Sequence, residues 1–468
     1  MPVDRDAVRD TAKYLRQIRP IDPAEVAEYV PDQPDPRVVR QVLREQALEL
    51  GVAEGADGTF RPAATGPYRP DFDGVAELPE RYQKRLEELL VEQYGPEWQE
   101  GETGRAIRNR IDRLKAEYFD GRSLPYDYDV ALAYAIYHLA GYYASTQYVL
   151  DWLARERLLP SQARVLDVGA GVGGPALAFA DFYTAGAEDE NSPLVEYHAL
   201  EPSDAASVFE AMLQDGPRNL STRIHREPAE TFETDATYDL IFFNNVLSEL
   251  DDPVRTARRY LDRLSDSGTL VLTAPADRNT SVHLRSVERE LEAGGATVYG
   301  PTVRFWQGQR PTDTCWSFDR RPDIEVPSYQ QALAAGADRP EAVRNTSVKF
   351  SYSVLRQGGK PQYDLALDRS NVAMLDDNDN HVSSRVDFVL AKLSQDLSEG
   401  GHPLYKVSDG SESVSNFAVL VNETELNNDL RTADYGDILQ FSGVLVLYNA
   451  DEEAYNLVVD EETIVDRA

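Results

Sequence analysis

The stretch Arg164 to Phe182, RVLDVGAGVGGPALAFADF, decides the fold of the middle of the chain. An apolar strand runs into Asp167, and an alanine-rich segment with helical character begins near Pro175. Four glycines lie between them within six residues: Gly169, Gly171, Gly173 and Gly174. Glycine lets a ligand approach main-chain N–H groups and adopts backbone angles that other residues resist. The stretch predicts a strand, a glycine loop and a helix.

Two features favour S-adenosylmethionine as the ligand of this loop, although the spacing would serve a dinucleotide nearly as well. The run V-L-D-V-G-x-G-x-G, with Asp167 inside it, resembles the first motif of class I methyltransferases. A later strand ends at Glu201, where a carboxylate can accept both ribose hydroxyls. The alternative is a tight turn that binds nothing. We predict cofactor contacts from Asp167, Gly169, Gly171, Gly173 and Glu201.

The next strands add candidates to the same site. Residues 221–225 indicate a third strand, after which Glu227 or Glu230 can reach the adenine amino group; Glu227 is our choice. Residues 238–245 indicate a fourth strand, whose end meets the glycine loop because ligands bind at the carboxyl ends of parallel strands. The next helix is expected to start at residues 247–250. We therefore predict Asn244 and Asn245 near the methyl donor as catalytic residues. Turn and cap chemistry is the alternative explanation for both asparagines.

The composition indicates folded domains in concentrated salt. The formal net charge is -34, only seven residues are lysine, and 42% of residues are hydrophobic. Self-repulsion costs little where screening shortens the Debye length to ~3 Å at 1 M salt. Under those conditions the net charge does not exclude a nucleic-acid partner.

The single cysteine and the hydropathy of the chain exclude several kinds of site and segment. Cys315 is the single cysteine, so an internal disulfide and a cysteine-based metal site are excluded, and we predict no metal ligands. The start of the chain has no apolar signal region, and no run of about 18 apolar residues occurs. We expect a soluble, cytoplasmic protein that does not bind membranes, of undetermined oligomeric state.

The flanking regions predict further domains. Residues 1–66 show two short amphipathic helices and a D-G turn between short strands, which is typical of a winged-helix module that contacts nucleic acid or protein. Residues 67–159 form a helical region expected to pack on the core. Residues 160–375 alternate strands and helices, as in a Rossmann-like doubly wound sheet. Residues 376–468 suit a small closed barrel of the OB type, with a connecting helix near residues 423–430. Its thin candidate RNA footprint is Lys392, Tyr405 and Lys406; a protein-contact barrel is equally consistent.

The helical region contains a cluster of cations in an otherwise acidic chain. Six basic residues fall within eighteen positions, and the candidate RNA contacts among them are Arg105, Arg108, Arg110, Arg113 and Lys115. Such a cluster suits backbone phosphates, because neutralising them releases counterions. The alternative is a solvated helix face balanced by neighbouring acidic residues.

Several blocks together resemble one family, the methyltransferase-like proteins of the mitochondrial and bacterial small ribosomal subunit. These blocks are the glycine loop followed by residues 245–250, and then residues 294–301, 315–320 and 348–356. The block VKFSYSVLR at 348–356 is the most specific, and the resemblance covers roughly residues 120–360. It implies a Rossmann-like fold, S-adenosylmethionine binding, and association with small-subunit ribosomal RNA in assembly or translation. The acidic composition indicates a haloarchaeal-type member.

One departure from the family concerns its iron–sulfur cluster. Many members carry a four-cysteine site before the 348–356 block, whereas this chain has C-W-S-F at 315–318. We expect no cluster, and expect an apolar plug in its place made of Phe305, Trp306, Trp316 and Phe318.

Three functions remain open at this point. The first is methyl transfer from S-adenosylmethionine to RNA, and the second is a non-catalytic small-subunit assembly or RNA-binding factor that retains the fold. The third, a small-molecule methyltransferase, is disfavoured by the appended modules. We find no N-P-P-Y motif for an exocyclic amine and no catalytic cysteine pair, so the acceptor atom is left open.

Overall fold

The computed structural model describes residues 3–119, 126–185, 192–214, 216–363, 365, 367–368 and 370–468. The chain forms two compact units, Met1–Asn244 with Pro322–Val348, and Asn245–Arg321 with Lys349–Ala468. The predicted boundaries at residues 66, 159 and 375 stay predictions.

The α-helices are α1 (Arg5–Leu15), α2 (Pro23–Tyr29), α3 (Pro36–Glu45), α4 (Ala47–Leu50), α5 (Glu80–Tyr94), α6 (Gly101–Phe119), α7 (Tyr128–Arg155), α8 (Gly174–Thr184), α9 (Ala205–Met212), α10 (Pro253–Leu261), α11 (Arg278–Ala293), α12 (Ser328–Ala335) and α13 (Asp429–Thr432). The strands are β1 (Val52–Glu54), β2 (Phe60–Pro62), β3 (Gln162–Val168), β4 (Leu194–Leu200), β5 (Leu220–His225), β6 (Tyr238–Asn244), β7 (Leu264–Pro275), β8 (Thr297–Gly300), β9 (Asp319–Arg321), β10 (Val348–Arg356), β11 (Arg385–Lys392), β12 (Leu404–Ser408), β13 (Asn416–Leu420), β14 (Ile438–Asn449), β15 (Ala454–Val459) and β16 (Ile464–Arg467).

The first unit begins with helices α1 to α4 and the antiparallel pair β1 and β2. Aspartate side chains cap three of these helices; Asp4, for example, accepts the N–H groups of Asp6 and Ala7. Apolar residues from α1, α2, α3 and β2 form one buried cluster. The helix α1 was missing from our prediction, because its short apolar stripe of Val8, Ala12 and Leu15 is diluted by charged residues.

Helix α7 is the longest of the described helices, with 28 residues. Asp127 caps its start by accepting the N–H of Val130 at 2.9 Å. Two side chains anchor its middle: Gln330 donates to the carbonyl of Ile136 at 2.7 Å, and Asn345 donates to the carbonyl of Tyr137 at 3.0 Å. Since these contacts fix mid-helix carbonyls, α7 is a rigid support for the side chains it carries.

The first unit also holds the parallel sheet of a Rossmann-like fold. Its strands lie in the order β5, β4, β3, β6, and all three pairings are parallel. Strand β3 is buried along most of its length, as expected for a central strand covered on both faces. The four strands predicted in this unit agree with the observed ones within two residues, and the predicted Rossmann-like fold is confirmed.

The second unit contains the antiparallel strands β7, β8 and β10 and the C-terminal barrel. Strand β10 lies antiparallel between β7 and β8, and it carries the buried block at 348–356. The segment after Asn245 departs from our prediction. We expected a helix from Leu247, but residues 247–249 form only a 3-10 turn and α10 begins at Pro253, whose fixed φ suits the first helical position.

The barrel is closed by strands β11, β12, β13, β15 and β14, with β14 pairing back to β11, and β16 adds to β14. This confirms the predicted small barrel. The connecting helix is shorter and later than expected, at α13, because Asn427 caps the preceding loop through hydrogen bonds to Asn422 and Asp460 carbonyls.

The predicted RNA footprint on the barrel is wrong, because its side chains are buried. Lys392 and Lys406 are 0% and 1% exposed, and Tyr405 is 3% exposed. Lys392 donates to the carbonyl of Ala433 at 2.7 Å, and Lys406 donates to Asp313 at 2.7 Å. Sequence patterning could not show this, since lysine inside a core is uncommon and depends on partners distant in the chain.

The predicted apolar plug is also wrong. Phe305 and Trp306 are buried, but Trp316 is 39% exposed, with its ring tilted against that of Phe318 at 5.5 Å. Cys315 is buried instead beside charged groups: burial and then Asp313 raise the pKa of its thiol to about 12, while Arg285 and Lys406 oppose the shift.

No helix among the described residues combines the length and apolar character needed to cross a membrane.

Candidate cofactor site

The loop after β3 allows a close approach to its backbone. Gly169, Gly171 and Gly173 have φ values of 72°, 54° and 89°, in the left-handed region that side-chain-bearing residues rarely adopt. A Cβ on Gly173 would lie 2.3 Å from the ring of Phe209, whereas a Cβ on Gly171 would meet none of the described atoms within 4 Å. Gly173 therefore serves packing, and Gly171 borders open space.

Glu201 lies directly after β4 and ties the glycine loop to the next turn. Its Oε2 accepts the N–H of Gly171 at 2.9 Å, and its Oε1 accepts the N–H and hydroxyl of Ser203 at 2.9 and 2.5 Å. A carboxylate offers about four acceptor positions. Three of these positions are occupied, so about one remains on Glu201 for a hydroxyl group of a ribose.

Asp167 lies beneath the loop and joins three strands. It is 0% exposed, and its carboxylate accepts the hydroxyl of Tyr197 on β4 at 2.7 Å and the amide of Asn244 on β6 at 3.1 Å. Burial raises the pKa of Asp167 to about 6, although both hydrogen bonds favour the charged form. The geometry makes Asp167 a positioning residue that joins the carboxyl ends of β3 and β6 to the middle of β4.

Glu227 lies at the same edge of the sheet. It follows β5, whose last residue His225 accepts the N–H of Glu201 through its carbonyl at 3.0 Å. Glu227 and Glu230 are both exposed. The choice of Glu227 for the adenine amino group stays a prediction. The rings of His225 and Phe232, with centroids 4.7 Å apart, flank both acidic residues in the sequence.

The two asparagines have different surroundings. Asn244 is buried at the end of β6 with its amide on Asp167. Asn245 has φ +56°, and its N–H donates to the carbonyl and hydroxyl of Thr273 at 3.2 Å each. Asparagine tolerates the left-handed region better than most residues, so turn chemistry accounts for Asn245. Catalytic roles for both stay predictions.

Most of the basic residues on α6 make contacts within the chain. Arg108 donates to the carbonyls of Gln99 and Leu333, and Lys115 donates to the carbonyl of Ala342. Arg110 pairs with Asp129 at 2.8 Å. For three of the five candidates, these contacts favour a role in stabilising the fold over a role in binding RNA.

Two members of the cluster remain at the surface. Arg105 is exposed, and Arg113 keeps its side chain 67% exposed while pairing with Glu117. Their role in binding RNA stays a prediction.

Our sequence reasoning missed two residues of the site, Tyr197 and Ser203. Tyr197 is the inward-facing tyrosine of β4, and its position opposite β3 depends on strand register. Ser203 had a local signal, because E-P-S places a hydroxyl two residues after Glu201, a spacing at which a side chain caps a turn.

Family models match three parts of the chain. A methyltransferase domain matches residues 141–326, which include the glycine loop, Glu201 and both asparagines. The N-terminal and C-terminal models of a domain of unknown function, DUF8157, match residues 5–56 and 376–468. No curated protein sequence matches the chain.

Solved methyltransferases resemble part of the chain. An S-adenosylmethionine-dependent methyltransferase from Clostridium acetobutylicum is 10% identical, with 54% of this chain and 99% of that chain covered and a TM-score of 0.30. An amino pentose methyltransferase from Micromonospora echinaspora, solved with bound S-adenosylmethionine, is 19% identical over 34% of this chain and 55% of that chain, with a TM-score of 0.22. A sugar N-methyltransferase from Streptoalloteichus is 17% identical over 32% of this chain and 54% of that chain, with a TM-score of 0.24. The match at 141–326 confirms that the chain contains a methyltransferase domain, as the glycine loop predicted.

Proposed function

We propose that the chain is an S-adenosylmethionine-dependent methyltransferase that acts on small-subunit ribosomal RNA during ribosome assembly. One observation supports binding of the cofactor. The carboxylate of Glu201 accepts the N–H of Gly171 at 2.9 Å, next to the open space above that glycine. A side chain at position 171 would fill this space. The residues present therefore fit a nucleoside whose ribose lies between Glu201 and the loop.

Each residue of the site has a defined task in this proposal. Glu201 binds a ribose hydroxyl, the backbone at Gly169 and Gly171 lies against the cofactor, and Glu227 binds the adenine amino group. Asp167 does not need to touch the cofactor, because its buried hydrogen bonds fix the strand ends that do. When bound, S-adenosylmethionine supplies an electrophilic methyl group on a sulfonium sulfur, so the protein must mainly orient donor and acceptor and exclude water.

The RNA acceptor is supported by sequence and by charge. The block at 348–356 resembles the small-subunit family, and Arg105 and Arg113 offer exposed guanidinium groups on α6. In concentrated salt, the acidic remainder of the surface is screened over a few ångströms. A haloarchaeal setting and a cytoplasmic location follow from the same proposal.

A second candidate function is a non-catalytic assembly factor that keeps the cofactor fold. One observation favours it: the amide of Asn244 donates to the buried Asp167 and is not directed at an acceptor substrate. Binding of the cofactor product without turnover would fit this alternative.

The two candidates separate in cells that carry Gly171→Arg in place of the native chain. The substitution fills the open space with a long side chain, so cofactor binding should be lost. Enzyme function predicts one undermethylated nucleotide in small-subunit RNA, detected by mass spectrometry of RNase fragments. Unchanged methylation with a defective subunit profile on sucrose gradients would support the assembly factor, and unchanged results in both would contradict the proposed function.

A further inference from the structure

Helix α7 carries two sets of aromatic side chains. Tyr143 is buried, and its hydroxyl donates to Asp181 on α8 at 2.7 Å, so it belongs to the core. A second set repeats every four residues on another side of the helix and is partly exposed: Tyr134, His138 and Tyr142. We call these three residues the aromatic stripe.

The rings of the aromatic stripe contact one another, tilted between Tyr134 and His138 and stacked between His138 and Tyr142. The ring centroids of Tyr134 and His138 lie 4.6 Å apart, and those of His138 and Tyr142 lie 5.1 Å apart with planes at 23°. Tyr126 extends the row of rings, with its own ring edge-on to that of Tyr134 at a centroid distance of 5.5 Å. Burial and the Lys115 ammonium lower the pKa of His138 to about 3, so its ring is neutral at any working pH. The stripe is therefore a continuous, uncharged aromatic surface.

Two contacts place this surface beside the cofactor site. A Cβ on Gly174, the first residue of α8, would lie 3.4 Å from the Cβ of Tyr142. At the other end, the carbonyl of Tyr126 accepts the N–H of Asp204 at 3.2 Å, just after Glu201 and Ser203. The stripe and Tyr126 together thus run from the end of the glycine loop to the turn that follows β4.

The direction of α7 sets how far the stripe extends. Helix α7 ends at Arg155 before β3 begins at Gln162, and Tyr142 lies level with the start of α8. Tyr134 lies eight residues earlier, and a rise of about 1.5 Å per residue places it roughly 12 Å further along the helix. Tyr134 therefore extends beyond the carboxyl edge of the sheet, on the side from which an acceptor must enter.

We propose that the aromatic stripe of Tyr134, His138 and Tyr142 is the acceptor platform, on which an unpaired nucleobase of the RNA stacks beside the cofactor. This inference rests on the proposed function. Aromatic rings bind bases of any sequence through their faces, and each stacking contact contributes about 1–3 kcal/mol. A neutral platform suits an uncharged planar base, while Arg105 and Arg113 lie on the neighbouring helix α6 for its phosphates.

The test uses the full chain, purified small-subunit ribosomal RNA and S-adenosylhomocysteine in concentrated potassium chloride. Irradiation at 254 nm should crosslink nucleotides to the tryptic peptide that contains residues 126–155, with the modified residues at positions 134 to 142. The variant Tyr134→Leu with Tyr142→Leu should lose this crosslink and bind RNA about tenfold more weakly. The variant Tyr134→Phe with Tyr142→Phe keeps the rings and should retain both.

Controls separate the platform from other roles. Tyr448→Leu removes a barrel tyrosine that is 49% exposed and should change neither the crosslink nor RNA affinity. The leucine pair should bind S-adenosylhomocysteine within twofold of the native chain, measured by calorimetry. A matching loss of cofactor affinity, or RNA crosslinks confined to other peptides, would overturn the platform and leave the proposed function standing. If the cofactor product binds but the RNA does not, the RNA acceptor fails and the platform fails with it.

Discussion

Asp167 combines a buried carboxyl group with two hydrogen-bond donors at the centre of the site. Its neighbours Tyr197 and Asn244 lie on different strands, so one side chain links three strands. Leaving a buried partner unsatisfied costs about 1–3 kcal/mol, which makes this group sensitive to substitution.

The raised pKa of Asp167 predicts a specific dependence of stability on pH. The folded pKa, about 6, lies above the ordinary value of 3.8, so the folded state binds the proton more tightly. This contribution to stability is complete below pH 3.8 and is lost as the pH rises to about 6. Relative to Asp167→Asn, the native chain should therefore lose about 3 kcal/mol of unfolding free energy across that window.

Paired denaturant titrations at several pH values check this prediction. The titration of other carboxyl groups changes the unfolding free energy of both proteins equally, so its effect cancels in the difference. A difference that stays constant from pH 4 to pH 6.5 would show that Asp167 does not titrate in this range.

The two glycines of the loop should respond differently to the same substitution. Gly173→Ala introduces a Cβ 2.3 Å from Phe209, so we expect a loss of several kcal/mol and partial unfolding. Gly171→Ala meets open space and should cost only about 1 kcal/mol for its left-handed φ. Its Cβ nevertheless enters the cofactor space, so affinity for S-adenosylhomocysteine should fall at least tenfold.

Thermal melts and calorimetric titrations of both variants test the assignment. Native affinity in Gly171→Ala would mean that the space above this glycine is not the cofactor site.

At the scale of elements, the strand–loop–helix unit was predictable because its signals are local. An apolar run, four glycines and an alanine-rich segment specify β3, the loop and α8 without help from distant residues. Elements whose signals depend on partners were not predictable. The helix expected from Leu247 is a 3-10 turn, and α1 has too narrow an apolar stripe to stand out.

Side-chain roles followed the same division. The positions of Glu201 and Asn244 at strand ends could be inferred, but the bond between Asn244 and Asp167 depends on register. Lys392, Lys406 and three of the α6 cations looked like surface charges, yet each finds an acceptor distant in the chain.

The contacts of α6 predict which cations affect RNA binding. Arg105→Gln with Arg113→Gln should leave the melting temperature nearly unchanged, because surface ion pairs contribute little, and should lower the salt slope of RNA binding by about two. Arg108→Gln removes the bonds to Gln99 and Leu333 and should cost about 1–3 kcal/mol of stability.

Filter binding across a salt series distinguishes these effects. If the double variant binds RNA with the native slope, Arg105 and Arg113 belong to a solvated helix face and do not contact RNA.

At the scale of the whole molecule, the net charge of -34 should dominate the response to salt. Raising potassium chloride from 0.1 to 1 M shortens the Debye length from ~10 to ~3 Å and reduces repulsion among surface carboxylates. The melting temperature should therefore rise with salt over this range.

A buried ion pair provides the internal comparison for that experiment. Lys406 and Asp313 are each about 1% exposed in their side chains, so salt screens them weakly. Lys406→Met should lower stability by a few kcal/mol at every salt concentration and leave the slope unchanged. A melting temperature that falls with salt in the native chain would contradict the role assigned to the acidic surface.

The most direct measurement is a calorimetric titration of the full chain with S-adenosylhomocysteine in concentrated potassium chloride, beside Gly171→Arg. The structure predicts one binding event per chain in the native protein and none in the variant, with both proteins folded by circular dichroism. Absence of binding to the native chain, or equal binding to both, would contradict the assignment of the glycine loop and Glu201 as the cofactor site.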